Sequence, residues 1–194
     1  MQFEQARDFI AEKLNKELPP YLTYHTLAHT LDVLRAAETL ATAEGVTGYE
    51  KTLLQTAAMF HDSGYLSKAA GHEDESCRLA MSYLPGFGYT EKEITAICGM
   101  IRATKLPQSP KNHLEEILCD ADLDYLGRGD YFIVAERFFQ ELSAAALVNS
   151  EAEWNTRQVS FLETHRYFTD TAIQLRKATK IKHLQSIKLK MQQP

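Results

Sequence analysis

The chain has 194 residues, 44% of them hydrophobic and 24% charged, with a net charge of −5. This balance suits one globular domain with a real core and excludes a disordered chain, a collagen-like fibre and a disulfide-stapled miniprotein. No apolar run reaches the roughly 20 residues needed to cross a bilayer, so no membrane partner is expected. Cys77, Cys98 and Cys119 are too few and too scattered for a disulfide framework and form no C-x-x-C pair. With no signal-peptide core at the N-terminus, a cytoplasmic setting is expected.

The periodicity is helical nearly throughout. Phe3, Phe9, Ile10 and Leu14 share one face of a first helix, which Pro19-Pro20 ends. Leu27, Leu31, Leu34 and Leu40 mark a second, from about Tyr24 to Glu44, with Gly45 as its C-cap. A third runs from about Tyr49 to Phe60 and reaches His61-Asp62 before the turn residues Ser63-Gly64. His72 to about Leu84 is a fourth, broken by Pro85-Gly86-Phe87-Gly88. Thr90-x-x-Glu93 has the form of a capping box ahead of Ile94, Ile97, Met100 and Ile101.

Beyond a loop bracketed by Pro107 and Pro110, helices are expected over about Leu114–Leu126, Tyr131–Val148 and Glu151–Tyr167, with a last one from Thr171. No alternating run marks a strand. The reading is one all-α bundle over 1–170, with a helical C-terminal extension over 171–194. The extension holds Arg176, Lys177, Lys180, Lys182, Lys188 and Lys190 and no acid, which leaves the rest of the chain at −11 against −5 overall. It reads as a solvated helix face rather than a nucleic-acid surface. A homodimer through the C-terminal helices is compatible with this pattern.

Chemistry concentrates in four places. His25 and His29 lie four residues apart, on one face of the second helix as drawn above. His61 precedes Asp62, and His72 precedes Glu73. Asp120-Ala121-Asp122-Leu123-Asp124 comes later. Imidazoles and carboxylates brought from several rigid elements are what a divalent ion needs, with positions left open for water and substrate. Residues adjacent on an ideal helix diverge by about 100°, so His61-Asp62 must lie where its helix ends.

The ordered set YHTLAHTLDV, AAMFHD, HEDES and CDADLDYLG, over about Tyr24 to Leu126, resembles the HD superfamily of metal-dependent phosphohydrolases. The first segment is similar to one in cyclic-nucleotide phosphodiesterases, with Thr26 where those have Asn, and His72–Ser76 is similar to a stretch of HD deoxynucleotide triphosphohydrolases. The resemblance implies an HD-domain helical bundle. It implies His29, His61, Asp62 and Asp122 as ligands of one divalent ion (Mn, Mg, Fe, Co, Ni or Zn), with Asp120 in a supporting or capping role. It implies that Asp62 steers the metal-activated water and that His25 gives a proton to the leaving oxygen.

His72 would bind a substrate phosphate or a weak second ion. The phosphodiesterases' paired histidines are replaced here by Met100-Ile101-Arg102, which favours a single ion. Lys68, Arg102, Lys105 and Arg128 are further candidate phosphate contacts. Tyr65, Tyr83, Phe87 and Tyr125 lie near the motifs and are candidates to stack on a base. The implied substrate is a phosphate ester of a nucleotide or other small metabolite. The alternative is a catalytically silent, metal-binding regulatory or partner-binding module. Beyond Gly127 the sequence carries no recognisable motif.

Overall fold

The computed structural model describes residues 1–192. Nine α-helices and three short 3-10 turns account for the described elements, with no strand among them. None of these helices is long and apolar enough to cross a membrane.

The first core is built by α1 (Phe3–Glu17), α2 (Leu27–Ala43), α3 (Gly48–Phe60), α4 (His72–Tyr83), α5 (Glu91–Ala103) and α6 (His113–Asp122). Their apolar stripes meet through Ile10, Leu40, Leu54, Phe60, Ile97, Ile101 and Ile117, all at most 1% exposed. Burial of such side chains contributes roughly 1.5–3 kcal/mol each. Met100 and Ile101 belong to this core, and Arg102 turns outward to Asp74 at 3.0 Å. The Thr90–Glu93 capping box is present, with both reciprocal hydrogen bonds at the start of α5. Tyr83 and Phe87 pack on Phe9 of α1.

A second, aromatic core joins α7 (Tyr131–Ala144), α8 (Glu151–Thr164) and α9 (Asp170–Met191). Tyr125, Tyr131, Trp154 and Leu162 are buried there. The last helix starts at the expected boundary but is packed along its length. Ala172 enters the first core and Ile187 the second. Gly127 makes room for it: a Cβ there would lie 2.4 Å from the Arg176 carbonyl oxygen. Four of the basic residues are committed, Lys190 among them through its pairing with Glu151. Arg176 pairs with Asp124 at 2.6 Å, and Lys180, buried, donates to the His165 carbonyl at 2.6 Å. Lys188 pairs with Glu163 at 2.5 Å.

Four boundaries differ from the sequence expectation. The second helix begins at Leu27, because Thr26 is its N-cap and accepts from the His29 N–H; His25 therefore precedes the helix instead of sharing its face. A threonine hydroxyl can fill this capping role as asparagine would. The sixth helix stops at Asp122, and Asp124–Gly127 tightens into a 3-10 turn. The seventh and eighth helices end three to four residues early, at Ala144 and Thr164.

Asp120 is fully buried and fastens the two cores together. Its carboxylate accepts from the Phe168 N–H at 2.9 Å, the Thr169 N–H at 2.8 Å and the Thr169 hydroxyl at 2.7 Å. Asp120→Ala would strand these donors. It is expected to lower unfolding stability by about 3 kcal/mol in urea denaturation, with ion binding retained, because Asp122 faces elsewhere.

Candidate metal centre

Helix ends bring the site together. His29 stands in the first turn of α2, His61 caps the C-terminus of α3, and Asp122 is the last residue of α6. These helices pack against one another, so the three side chains converge at their junction. One ligand atom from each of His29, His61 and Asp122 lies within 4.8 Å of the others. Asp62 adjoins this trio just past the helix end, with φ −103° and ψ 7°. Its Oδ2 is 3.4 Å from His29 Nε2 and 3.2 Å from His61 Nε2.

The imidazoles are set up to present lone pairs. His61 is fully buried, and its Nδ1–H donates to the Ala58 carbonyl at 2.7 Å. That bond fixes the tautomer and leaves Nε2 facing the cluster. The Nε2 atoms of both His29 and His61 are buried without a hydrogen-bond partner. Two orphaned, convergent nitrogens beside two carboxylates match the donor set of a divalent ion.

Electrostatics agree. Burial alone would lower both imidazole pKa values, but the Asp62 and Asp122 carboxylates raise them, His61 well above the usual histidine value. Burial works against the ionised carboxylates, yet the facing histidines pull Asp122 down to about 2 and Asp62 well below the carboxylate range. Without an ion, protons held on the imidazoles offset the two carboxylates, and a divalent ion would displace those protons and take over their positive charge.

Asp120 and Asp124 point away. Asp120 serves the Phe168–Thr169 backbone, and Asp124 pairs with Arg176 and Arg128.

Further side chains flank the cluster. His72 Nε2 is 3.3 Å from Asp62 Oδ1. Burial opposes charge on this ring, and Asp62 raises its pKa nonetheless. Gly64 lets the start of α4 come this close, since a Cβ there would lie 2.1 Å from the His72 carbonyl oxygen. The Ser76 hydroxyl, inside the HEDES motif, receives the Gly64 N–H at 2.7 Å and holds the same contact. The Tyr65 ring stacks between His25, at 4.0 Å, and His72, at 4.3 Å.

His25 is gripped by a residue that the sequence reading does not single out. Glu141 Oε1 takes the His25 Nδ1 hydrogen, and Oε2 accepts the Tyr24 and His25 backbone N–H groups at 2.8 and 2.9 Å. Burial pushes the Glu141 carboxyl up, but His25 and these N–H groups hold it below the ordinary range. His25 Nε2 is left 3.1 Å from the Tyr65 hydroxyl.

A cavity of about 980 Å³ opens over the cluster, lined by His25, Asp62, Tyr65, His72, Lys105 and Asp122 on the first core and by α7 and α8 on the other side. Tyr125, one of the aromatics singled out in the sequence, also lines it. Arg102 and Arg128 do not. Arg102 is engaged by Asp74, and Arg128 by Asp32 and Asp130 on the outer surface.

No known family's sequence profile matches the chain, and no curated protein does. Two solved structures share its fold. One is a predicted HD superfamily hydrolase from an uncultured Thermotogales bacterium, 19% identical, with a TM-score of 0.63 over 96% of this chain and 91% of that one. The other is a structural-genomics protein of Lactobacillus plantarum, 18% identical, with a TM-score of 0.68 over 98% of both chains. The likeness is one of fold: this chain shares its all-α helical architecture with both structures.

His61→Ala removes a nitrogen from the trio while leaving α2 and α6 in place. Purified protein is expected to carry about one divalent ion per chain, and the variant close to none, by elemental analysis after equal metal exposure. Unchanged far-ultraviolet circular dichroism would show that ion loss is not unfolding.

Proposed function

We propose that this chain is a metal-dependent phosphohydrolase that cleaves a phosphate ester of a nucleotide or other small metabolite in the cytoplasm. The observation that carries this reading is the pair of buried, unpartnered Nε2 atoms facing Asp122 at the floor of an open cavity. His29, His61 and Asp122 would hold the ion, with Asp62 as a fourth ligand. A divalent ion so held neutralises phosphoryl charge and makes water acidic enough to supply hydroxide near neutral pH.

The remaining groups divide the work of ester cleavage. Hydrolysis adds water across a P–O bond, and the departing alkoxide must receive a proton. His25 presents Nε2 to the cavity beside Tyr65, while Glu141 fixes the ring by its other nitrogen. Asp62 touches the cluster and the cavity at once, which suits it to orient the attacking water. His72, beside Asp62, and Lys105, at the rim, are placed to meet phosphate oxygens. The three cysteines are free and buried, which fits a reducing compartment.

Comparing esters tests the proton donor. With an alkyl phosphate, His25→Ala is expected to keep the ion and lower kcat by about 10²–10³-fold. With p-nitrophenyl phosphate, whose leaving group needs no proton, the loss is expected to be much smaller. Glu141→Gln is expected to show the same pattern more weakly. Full alkyl-ester activity in His25→Ala would overturn the assignment. An ion-loaded chain that cleaves no phosphate ester in a broad screen would leave the silent binding module as the function.

A further inference from the structure

The cavity is uneven in a way that bears on its occupant. At one end lie Asp62, Asp122 and His25. The opposite wall comes from α7 and α8, where Ala135, Phe138 and Leu142 face Trp154 and Phe161. Trp154 meets Phe138 edge-on, with ring centroids 5.7 Å apart, and Phe138 stands 4.7 Å from Tyr24, which itself lies 4.5 Å from the His29 ring. An unbroken aromatic surface therefore leads from the metal ligands into the second core. A volume of about 980 Å³ is at the upper end for small-molecule sites. It exceeds what a phosphate group alone would fill.

Charge narrows the choice. The lining holds four carboxylates, Asp62, Glu73, Asp122 and Glu141, against the two cations Lys105 and Arg157. Arg157 is already paired with Glu153 at 2.7 Å. One divalent ion would offset the excess of acids and admit one phosphate. A triphosphate would bring further negative charge into a cavity with one uncommitted lysine at its edge.

We infer that the cavity selects an ester of a single phosphate whose organic part is an aromatic or extended apolar group, with phosphate at the ion and the ring against Phe138 and Trp154. This deepens the phosphohydrolase reading and rests on it. The discrimination comes from the apolar wall, which rewards a buried ring by the area removed from water, and from the shortage of cations, which disfavours polyphosphates.

The test uses the full chain loaded with zinc and two probes that cannot be hydrolysed, phenylphosphonate and methylphosphonate. Trp154 is the only tryptophan, so its emission reports occupancy directly. Phenylphosphonate is expected to change that emission and to bind at least about tenfold tighter than methylphosphonate, a conservative value for burying one ring. ATP is expected to compete poorly with phenylphosphonate. Phe138→Ala is expected to remove most of the preference for the ring and leave methylphosphonate binding and zinc content unchanged. Should that variant unfold, Ala135→Leu, which fills the same wall, is expected to block the ring and spare the small probe.

Equal affinity for the two phosphonates in zinc-loaded protein, or strong competition by ATP, would overturn this inference and leave the phosphohydrolase reading standing. A chain that takes up no metal would instead overturn the reading beneath it.

Discussion

Burying two imidazoles and two carboxylates in one place is the constraint on which the rest of the structure turns. Neither His29 nor His61 can satisfy Nε2 with a hydrogen bond inside the protein. A buried polar atom left unpaired costs about 1–3 kcal/mol, and the cluster repeats that cost within a few ångströms. A site of this kind persists where a ligand supplies the missing bonds. The surrounding helices hold it open: the His61 Nδ1 bond to Ala58, the Thr26 cap under His29 and the close approach at Gly64 each fix a side chain before any ion arrives.

The two cores contribute different kinds of structure to the cavity. The first supplies ligands from helix termini, where one residue can depart from the helical direction while the helix behind it stays rigid. The second supplies a surface. Its aromatic residues line the far wall, and its one polar contribution to the reactive end, Glu141, reaches across to hold His25. Asp120 joins the cores from the opposite side of α6, two residues from Asp122 of the candidate metal cluster. Adjacent functions on one short helix thus face opposite ways, as the 100° step per residue requires for positions two apart.

The all-α class and the order of helices were legible in the sequence because apolar spacing and capping residues act locally. Thr90–Glu93 is the clearest case: a four-residue signature formed the reciprocal bonds expected of it. The helix boundary at Thr26 was legible in residue type and misplaced in register, since the apolar spacing of Leu27 and Leu31 does not say where helix gives way to cap. Residue type alone left His25 beside His29 and Asp120 beside Asp122 as candidates; the motif resemblance pointed to His29, His61 and Asp122, and the structure brings those three together.

Glu141 was not legible. It lies 116 residues from His25, and a single acid on an otherwise apolar face of α7 has no local signature. Arg102 and Arg128 show the converse: nearness in sequence to a motif did not bring either one to the cavity, because Asp74 and Asp32 hold them outside.

Charge ties these parts into one thermodynamic unit. Without an ion the cavity is lined by an excess of acids, which would oppose entry of the proposed phosphate. With a divalent ion at His29, His61 and Asp122, the same lining is close to neutral and one phosphate can enter. On the proposed reading, phosphate and ion would therefore bind cooperatively, each raising the affinity of the other by an equal factor, because such coupling is reciprocal. The apolar wall lies outside this loop. It would add affinity for the organic part of the proposed ester without altering the electrostatics at the floor, so residues such as Phe138 and Ala135 could vary the ester accepted while the ion's candidate ligands stayed fixed.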